Sequence, residues 1–418
     1  MGEDVSTVTR LQGYQFELRM NEEEAHQMRG FAGSCRFVFN RALAFEQEIY
    51  ALCGFRPGYG ELCEEMARWK KEPETSWLND APSQALQQSL KNLEDAWKRH
   101  FESLQKLKAG KIHPNQLVGP PRFKKKGQHD SFRFPQGVRL EQHNDRIFLA
   151  KLGWIRYRNS QEVLGDVGNV TVRQIAGKWF ISIQTEREVK KPVHPSTSAV
   201  GIDMGVVRFA TLSTGKFIEP LNSFKKHEDR LGKAQQALIR KEKYSKNWKK
   251  AKAKVQRIHA RMANVRLDFL HKASHAISKN HAMVVVEDLQ LSNMSRSAAG
   301  TVDEPGKNVK QKTGLNRAIL DQGWGEFRRQ LKYKMLWSGG LFIPVPPQRT
   351  SITCPKCGHI SKENRKTQAQ FACVECGFSE NADLVGAINV LRAGHARIAC
   401  QVNCDGSGQQ QEPSFIAA

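Results

Sequence analysis

Two Cys-x-x-Cys motifs constrain the fold of this chain more than any other feature. Fifteen residues separate the motifs, which contribute four cysteines: Cys354, Cys357, Cys373 and Cys376. Four thiolates at this spacing can surround one Zn²⁺ tetrahedrally, and the glycine after each motif, Gly358 or Gly377, permits a tight turn around a metal-bound sulfur. A disulfide or a redox dithiol is the alternative, although a redox dithiol needs only one motif. The spacing therefore predicts a structural zinc ribbon at residues 350–377.

The charge of the chain indicates a polyanionic partner. Among 418 residues there are 65 Lys or Arg and 42 Asp or Glu, which gives a formal net charge of +23. Cations that neutralise phosphates release condensed counterions, so this excess favours nucleic acid over the simpler alternative of a soluble basic protein without such a partner. We find no run of about 18 apolar residues and no signal peptide, so we expect no membrane association. The expected location is the bacterial cytoplasm, in association with the nucleoid.

The amino-terminal half of the chain combines strand and helix patterns. Residues 8–20 alternate apolar and polar positions, which is typical of a strand, and a region of helical periodicity with a break at 54–60 follows. Further β-like runs lie at 131–135, 145–157, 168–175 and 178–187. We therefore expect three parts: a small β-barrel from 1–20 plus 111–190, a helical recognition insert at 21–110 and a linker at 191–198.

The carboxyl-terminal half has the order of an α/β domain. Short strands are predicted at 199–203, 209–212, 216–218, 282–286 and 341–345. Helical stretches follow the third and fourth strands, the second of them at 316–337, and a last helix begins at Asn381. This order is that of an α/β domain with the ribbon inserted before the last helix. The predicted ranges are an α/β domain at 199–349 plus 378–393 and a disordered tail at 394–418.

A basic helical pair is predicted between Lys225 and Arg266. The segment holds 15 Lys or Arg against 3 Asp or Glu, and Ser245 is suited to cap the second of two antiparallel helices. An apolar seam at heptad spacing would join them: Tyr244, Trp248, Ala251, Val255, Ile258, Met262, Val265 and Phe269. A solvated charged face is the alternative, but such a face usually mixes both signs. We therefore predict a phosphate-backbone track that includes Arg240, Lys241, Lys249, Lys250, Arg257 and Arg261.

Three acidic residues stand where an α/β sheet places its ligands. Asp203 ends the first strand, Glu287 follows the fourth, and Asp383 opens the last helix. Hydrolysis of a phosphodiester with two Mg²⁺ ions requires carboxylates that converge from separate elements in this way. Taken singly, Asp203 could be a turn residue, Glu287 or Asp288 an ordinary strand end, and Asp383 a helix cap. Together, in this order and beside a basic track, they predict an RNase H-like nuclease site.

Small residues flank two of these carboxylates. We expect Gly201 and Gly205 to leave room for metal and phosphate beside Asp203. Gly386 and Ala387 give the last helix a small face, which we expect to approach the sheet closely.

Several longer motifs resemble one known family. They are G-I-D-M-G at 201–205, V-V-E-D-L at 285–289, D-Q-G-W-G-E-F at 321–327, T-S-I-T-C-P-K-C-G at 350–358, the second cysteine motif and N-A-D at 381–383. The amino-terminal half adds S-L-K-N-L-E at 89–94 and P-R-F-K-K-K at 121–126. Over about residues 8–393 the chain resembles TnpB, the OrfB-type protein of bacterial insertion sequences, and more distantly the compact type V CRISPR effectors.

The resemblance implies an RNA-guided DNA endonuclease with a RuvC-like domain. It implies that Asp203, Glu287 and Asp383 bind catalytic Mg²⁺ and that the four cysteines hold structural Zn²⁺. A guide RNA would pair with one strand of the target double-stranded DNA, next to a short duplex motif that residues around Tyr59 and Gln87 would read. We expect a monomer with one RNA. The basic turn supplies further candidate contacts with nucleic acid: Arg122, Lys124, Lys125 and Lys126.

The sequence departs from the family around Asp383. The family often has x-Asn-Ala-Ala after this Asp, where the chain has Leu384, Val385, Gly386 and Ala387, and an Arg commonly stands where the chain has Ala382. Neither change removes a metal ligand. Two alternatives stay open. One is a guided nucleic-acid-binding repressor or transposition accessory protein without cleavage; the other is a transposase that performs strand transfer, which has no need of a guide RNA.

Overall fold

The computed structural model describes residues 6–128, 130–300 and 304–405. The chain divides into two compact units, Met1–Lys190 and Lys191–Ala418. The division therefore falls at the start of the predicted linker. Across the described ranges, no helix is both long enough and apolar enough to cross a membrane.

The described part of the first unit contains an antiparallel sheet and three α-helices. The helices are α1 (Glu22–Cys53), α2 (Tyr59–Trp69) and α3 (Ser83–Lys108). The strands are β1 (Thr7–Arg19), β2 (Ser131–Phe134), β3 (Arg139–Glu141), β4 (Arg146–Leu149), β5 (Gly153–Tyr157), β6 (Asp166–Ile175) and β7 (Lys178–Lys190). Their order in the sheet is β2-β6-β7-β1-β5-β4-β3.

One apolar core joins this sheet to the helical insert. Alternate residues of β1, including Phe16, are buried with Leu43 of α1 and Leu86 of α3. Helix α1 begins at a capping box, in which the Asn21 side chain accepts a hydrogen bond from the Glu24 backbone and the Glu24 carboxylate accepts one from the Asn21 backbone, both at 2.8 Å. The insert is therefore held by the same core as the sheet.

The first unit matches most, but not all, of the predicted strands. The segment predicted as one strand at 145–157 is a hairpin of two, β4 and β5. The predicted β6–β7 hairpin turns at Ala176 and Gly177, whose φ angles are 51° and 87°. The edge strands β2 and β3 do not pair with each other within the described residues, so closure into a barrel stays a prediction.

The second unit is built around a mixed five-stranded sheet. Its strands are β8 (Ala199–Asp203), β9 (Ala210–Leu212), β10 (Phe217–Ile218), β11 (Met283–Glu287) and β12 (Leu341–Val345), with β13 (Gln370–Ala372) and β14 (Ser379–Asn381) forming a separate hairpin. Its helices are α4 (Ser223–Ile239), α5 (Lys246–Asn280), α6 (Leu291–Met294), α7 (Val309–Gln322), α8 (Trp324–Ser338) and α9 (Ala382–Asp405).

The five predicted strands of this unit are confirmed, in the order β10-β9-β8-β11-β12. β8, β11 and β12 run parallel, whereas β9 and β10 join antiparallel. Because side chains alternate along a strand, Val200, Ile202, Val284 and Val286 pack into a core with α5, α7 and α8. Met283 and Val285 point to the opposite face and pack against α9.

Two sequence predictions about helices are wrong. The helix predicted at 316–337 is interrupted at Gly323, whose φ of 72° separates α7 from α8. The tail predicted to be disordered from 394 instead continues α9 as far as Asp405. The reason is packing, because Gly394 lies directly against the Val285 side chain and continues the contact of α9 with the sheet. Residues 406–418 lie outside the described ranges.

Helices α4 and α5 form the predicted helical pair. We call α4 together with residues 246–268 of α5 the arm. The Ser245 side chain caps α5 by accepting a hydrogen bond from the Trp248 backbone at 3.1 Å, as predicted. The seam is buried only in its middle, where Ile258 and Met262 pack against α4. The prediction that the seam also buries Tyr244 is wrong, since Tyr244 lies in the turn beyond the end of α4 and is 67% exposed.

Candidate active site and metal centre

Strand register brings two of the predicted carboxylates together. β8 and β11 are parallel neighbours, and Ile202 pairs with Val286. The next residues along the two strands are Asp203 and Glu287, so they lie side by side on strands about 4.8 Å apart. Both follow the alternation that faces α9 rather than the α5 core. Backbone geometry alone therefore aligns these two acids at the carboxyl edge of the sheet.

Helix α9 reaches this edge because glycines remove side chains at the points of contact. A Cβ on Gly201 would overlap the Ala387 carbonyl oxygen, and a Cβ on Gly386 would lie 2.8 Å from an Asp203 carboxylate oxygen. The predicted close approach of Gly386 and Ala387 to the sheet is thus confirmed. The predicted role of Gly201 is wrong, since the space beside it holds the α9 backbone and not a metal or a phosphate.

Asp383, the third predicted carboxylate, lies in the first turn of α9. Asn381 caps this turn, because its side-chain oxygen accepts hydrogen bonds from the backbone N–H groups of Asp383 at 3.1 Å and Leu384 at 3.3 Å. The Arg365 guanidinium, from the segment between the two cysteine motifs, lies 3.7 Å from an Asp383 carboxylate oxygen. Asp383 therefore lies in the helix that contacts Asp203, with a cation beside its carboxylate.

The charges of Glu287 and Asp383 both act on the carboxylate of Asp203. Burial, together with the negative charges of Glu287 and Asp383, raises the pKa of Asp203 to about 7, against the opposing effect of Arg365. Burial also raises the pKa of Glu287, although the Thr350 hydroxyl donates a hydrogen bond of 2.6 Å to its carboxylate and opposes that shift. Uncompensated negative charge in a buried place suits a bound cation.

Neighbouring side chains separate the site acids from ordinary strand-end residues. Glu287 is 7% exposed and bonded to Thr350, whereas the adjacent Asp288 points away and pairs with Arg328 at 2.5 Å. Asn389 holds the Thr350 backbone carbonyl at 2.8 Å and so ties the Thr350 segment to α9. Thr350 lay within a motif to which the sequence attached no role, and neither Asn389 nor Arg365 carried a local pattern that singled it out.

The carboxylates are more widely spaced than the thiols of the cysteine motifs. Among the residues that the structure describes, the four cysteines are the group of three or more metal-ligating side chains whose ligand atoms all lie within 4.8 Å of one another. Sγ atoms of Cys354 and Cys376 lie 3.7 Å apart, and those of Cys357 and Cys373 lie 3.6 Å apart. A disulfide would need about 2.05 Å. Ligands at about 2.3 Å from one tetrahedral zinc would be separated by distances close to those observed.

The turns of the cysteine cluster follow the sequence prediction. Gly358 and Gly377 have φ angles of 77° and 69°, and each donates a backbone hydrogen bond of 3.0 Å to the first cysteine of its motif. A fully buried residue, Asn364, connects the two motifs: its side chain donates to the carbonyls of Ile352 and His359 and accepts from the Val374 backbone. Sequence reasoning missed Asn364, because its partners are distant in the motif pattern.

The cysteine cluster and the candidate active site share a structural element. Cys354, Cys373 and Phe371 form one apolar cluster with Ala382 and Val385 of α9. These two α9 residues flank Asp383 in sequence. The cysteine cluster therefore packs against the helix turn that carries the third carboxylate, and Val385, one of the departures from the family pattern, is part of that contact.

The residues predicted to contact nucleic acid are exposed. On the arm they are Arg240, Lys241, Lys249, Lys250, Arg257 and Arg261. In the first unit they are Tyr59, Gln87, Arg122, Lys124, Lys125 and Lys126. Among these, Lys124 is the most constrained, since both its backbone groups bond to the Asn40 side chain and its ammonium lies 3.9 Å from the Phe39 ring centroid. Exposure permits the predicted contacts without testing them.

Comparison with family models identifies three segments of the chain. Residues 182–298 match the OrfB_IS605 model, described as "Probable transposase". Residues 324–390 match a "Cas12f1-like, TNB domain", and residues 10–54 match a "Helix-turn-helix domain" of the same OrfB group. In the structure the last of these segments is strand β1 followed by one uninterrupted helix, α1, and not two helices joined by a turn.

Curated relatives match the chain over almost its whole length. A protein of Escherichia coli K12 named "Putative RNA-guided DNA endonuclease InsQ" is 54% identical, over 97% of this chain and 98% of the relative. A Streptomyces pristinaespiralis protein with the same general name is 31% identical, over 96% and 93%. The fold is also shared with the protein in a solved complex of Cas12f1 with single-guide RNA and target DNA, with a TM-score of 0.50 and 14% identity over 88% of this chain and 83% of that one.

Proposed function

Because this chain belongs to the OrfB_IS605 (TnpB) family of insertion-sequence proteins, we propose that it is an RNA-guided, Mg²⁺-dependent DNA endonuclease. The observation that carries the proposal is the strand register that sets Asp203 beside Glu287, with Asp383 on the helix that contacts Asp203. Burial, followed by the charges of Glu287 and Asp383, raises the pKa of Asp203 to about 7. The relatives that match almost the whole chain are named as putative RNA-guided DNA endonucleases, which supports the same function.

We infer that the second unit is an RNase H-like, RuvC-type nuclease domain with an inserted zinc ribbon. Three antiparallel strands, two further parallel strands and a last helix that carries an acid support this assignment. In the ribbon, the four clustered thiols fit one structural Zn²⁺ in donor type, number and spacing. We expect about one zinc per chain, and metal analysis of reduced, carefully prepared protein tests this expectation.

The residues of the site suit hydrolysis of a phosphodiester. When bound, two Mg²⁺ ions would stabilise the charge on the attacking and leaving oxygens. The charges of Glu287 and Asp383 both act on Asp203, and these three carboxylates would hold the ions. Thr350 orients Glu287, and Asn381 fixes the start of the turn that carries Asp383. Attack of water on the phosphorus would break the P–O3′ bond and leave a 3′-hydroxyl and a 5′-phosphate.

The proposed partners are a guide RNA and target double-stranded DNA. The exposed basic residues of the arm would follow phosphate backbones by neutralising them. Tyr59 and Gln87 stay candidates for reading the adjacent duplex motif, and the basic turn at 122–126 stays a candidate contact. We propose one protein chain per RNA, acting on DNA of the bacterial nucleoid.

Cleavage of a plasmid tests this function. The protein is purified with the RNA that accompanies it, that RNA is sequenced, and a plasmid with the matching target and a randomised flank is incubated with Mg²⁺ or with EDTA. We expect the wild-type protein to cut the plasmid with Mg²⁺ but not with EDTA. Asp203→Ala should lose all cutting and retain the gel shift. Asp288→Asn, a carboxylate one residue beyond Glu287, is the matched control and should cut.

Two other outcomes identify the alternatives. An intact plasmid in Mg²⁺ with a retained gel shift would favour a guided binder without cleavage, for which the altered residues around Asp383 are the motivating observation. Strand transfer without RNA would favour the transposase. Cutting by Asp203→Ala at the rate of the wild-type protein would refute the assignment of the three acids.

A further inference from the structure

The turn between α4 and α5 carries exposed apolar and aromatic side chains among cations. We call residues 239–252 the arm tip. Ile239 is 82% exposed and Tyr244 is 67% exposed. Tyr244 has a φ of 73°, and its ring lies 5.5 Å from the Trp248 ring at an interplanar angle of 55°. A backbone in the left-handed region thus holds an aromatic side chain against a second ring at the surface.

The arm tip is also strongly positive. Its fourteen residues include seven Lys or Arg and one Glu. None of the seven forms an ion pair within 4.0 Å in the part of the chain that the structure describes. Two of them lie close to the rings, with the Lys243 ammonium 5.3 Å from the Tyr244 centroid and the Lys252 ammonium 5.1 Å from the Trp248 centroid. Each ring therefore has a lysine ammonium beside it.

The position of the tip separates it from the nuclease core. Phe269 is the first residue along α5 that packs against the core around the sheet, while residues 255–262 pack against α4. Trp248 precedes Phe269 by 21 residues, which corresponds to about 32 Å along a helix axis. At its base, the Asp321 carboxylate accepts hydrogen bonds from Ser223 and the Phe224 backbone, each at 2.8 Å, and fixes the start of α4. The arm thus holds its tip well away from the core around the sheet.

We propose that the arm tip binds an unpaired segment of the guide RNA, with bases stacked on Tyr244 and Trp248 and phosphates on the surrounding lysines. This inference rests on the proposed function. Rings can stack on a base face only where the base is unpaired, whereas a duplex offers the tip its phosphates alone. Target DNA is a duplex before it is engaged, so the guide RNA is the partner that offers unpaired bases to the free protein.

Binding measurements in EDTA test the proposal, because they do not depend on cleavage. Fluorescein-labelled U20 RNA and a 20-base-pair DNA duplex are titrated with wild-type protein, freed of its RNA, and with the double variant Tyr244→Ala, Trp248→Ala. We expect the double variant to bind U20 about tenfold more weakly and the duplex within about twofold of wild type. Tyr244→Phe with Trp248→Phe should restore U20 binding. Leu267→Ala, an exposed apolar residue of the same helix, is the matched control and should leave both affinities unchanged.

A second variant separates stacking from charge. The double variant Lys249→Ala, Lys250→Ala should bind both U20 and the duplex more weakly, and both affinities should depend less on salt concentration. Ultraviolet crosslinking of the protein in cells should yield uridine adducts on Tyr244 or Trp248 if the source is RNA; thymidine adducts alone would point to a DNA strand and overturn the RNA assignment. Equal weakening of U20 and duplex by the double aromatic variant would also overturn the proposal. The proposal would also be overturned if the double aromatic variant kept both affinities but changed from dimer to monomer in light scattering. That result would make the tip a contact between copies of this chain.

The test fails separately from the proposed function. If the protein binds U20 through its tip but does not cut the plasmid, this inference is supported and the proposed nuclease activity is refuted. If the protein cuts the plasmid, yet the double aromatic variant binds U20 as well as the wild type does, the proposed nuclease activity is supported and this inference is refuted.

Discussion

The replacement of Asp203 by Asn should stabilise the metal-free protein in a manner that depends on pH. Burial and two neighbouring carboxylates raise the pKa of Asp203 from an ordinary value of 3.8 to about 7. A carboxyl whose folded pKa is raised binds its proton more tightly in the folded state than in the unfolded state. Its ionisation therefore removes stability as pH rises from about 4 to about 7, and the loss is complete above that range.

The two pKa values set the size of the effect. One pKa unit corresponds to about 1.4 kcal/mol, so ionised Asp203 costs the metal-free fold about 4 kcal/mol at pH 8 and about 1.6 kcal/mol at pH 5. Burying the replacement amide costs about 1 kcal/mol. Asp203→Asn should thus gain about 3 kcal/mol at pH 8 and about 0.6 kcal/mol at pH 5. For a unit of this size the gain at pH 8 corresponds to roughly 6–12 °C in the Tm.

Thermal unfolding in EDTA at pH 5 and pH 8 measures this difference. Asp268→Asn, an exposed carboxylate on α5, is the control and should shift the Tm little at either pH. Addition of Mg²⁺ should reverse the ranking at pH 8, because the wild-type carboxylate then gains a cation that the amide variant binds poorly. A Tm difference between variant and wild type that is the same at both pH values would show that Asp203 is not buried among the other two acids.

Other changes test how the site is built. Gly201→Ala places a side chain in the space filled by the α9 backbone, so it should lower the free energy of unfolding by about 3 kcal/mol or more and abolish cleavage. The control Gly13→Ala, at a strand position with open space, should change the Tm little. A fully active Gly201→Ala protein would contradict this packing. Asp321→Ala leaves Arg266 and the start of α4 without their partner and should cost about 2–4 kcal/mol, seen as faster hydrogen exchange in the arm; unchanged exchange there would show that the arm does not depend on this carboxylate. Cys354→Ser should reduce the amount of bound zinc, lower the Tm and raise the Mg²⁺ concentration needed for half-maximal cleavage. Unchanged Mg²⁺ dependence in zinc-depleted protein would argue against coupling of the cysteine cluster to the three acids through α9.

The sequence predicted the parts of the site that depend on local patterns. Strand ends at Asp203 and Glu287 could be recognised because apolar runs precede both residues, and the cysteine motifs define their own cluster. Parallel pairing in a common register then follows from the α/β order. By contrast, contacts between distant segments had no local pattern. Thr350 donates to Glu287, which lies 63 residues earlier, and Asn364 accepts from Val374, ten residues later; a single sequence does not reveal such pairs.

The errors at Tyr244, Gly201 and Gly394 have one physical origin. In each case a local pattern was correct, but a helix boundary or a tertiary contact decided what the residue touches. The seam pattern continues through Tyr244, yet α4 ends before it, so the ring contacts Trp248 at the surface and is not buried. Gly201 and Gly394 look like flexible or open positions, yet both are places where α9 meets the sheet at backbone distance. Glycine in such positions indicates close packing of another segment.

The three acids differ in what holds them, and that difference predicts how the site fails. Asp203 and Glu287 are fixed by the hydrogen-bonded register of two buried strands, which changes only when the sheet unfolds. Asp383 depends on α9, whose position relies on glycine contacts with the sheet and on the apolar cluster shared with the cysteine centre. Disturbance of the ribbon should therefore displace Asp383 first and leave the other two acids in place. Loss of zinc would then weaken Mg²⁺ binding before it unfolds the nuclease unit, so catalytic failure and unfolding should occur at different zinc occupancies.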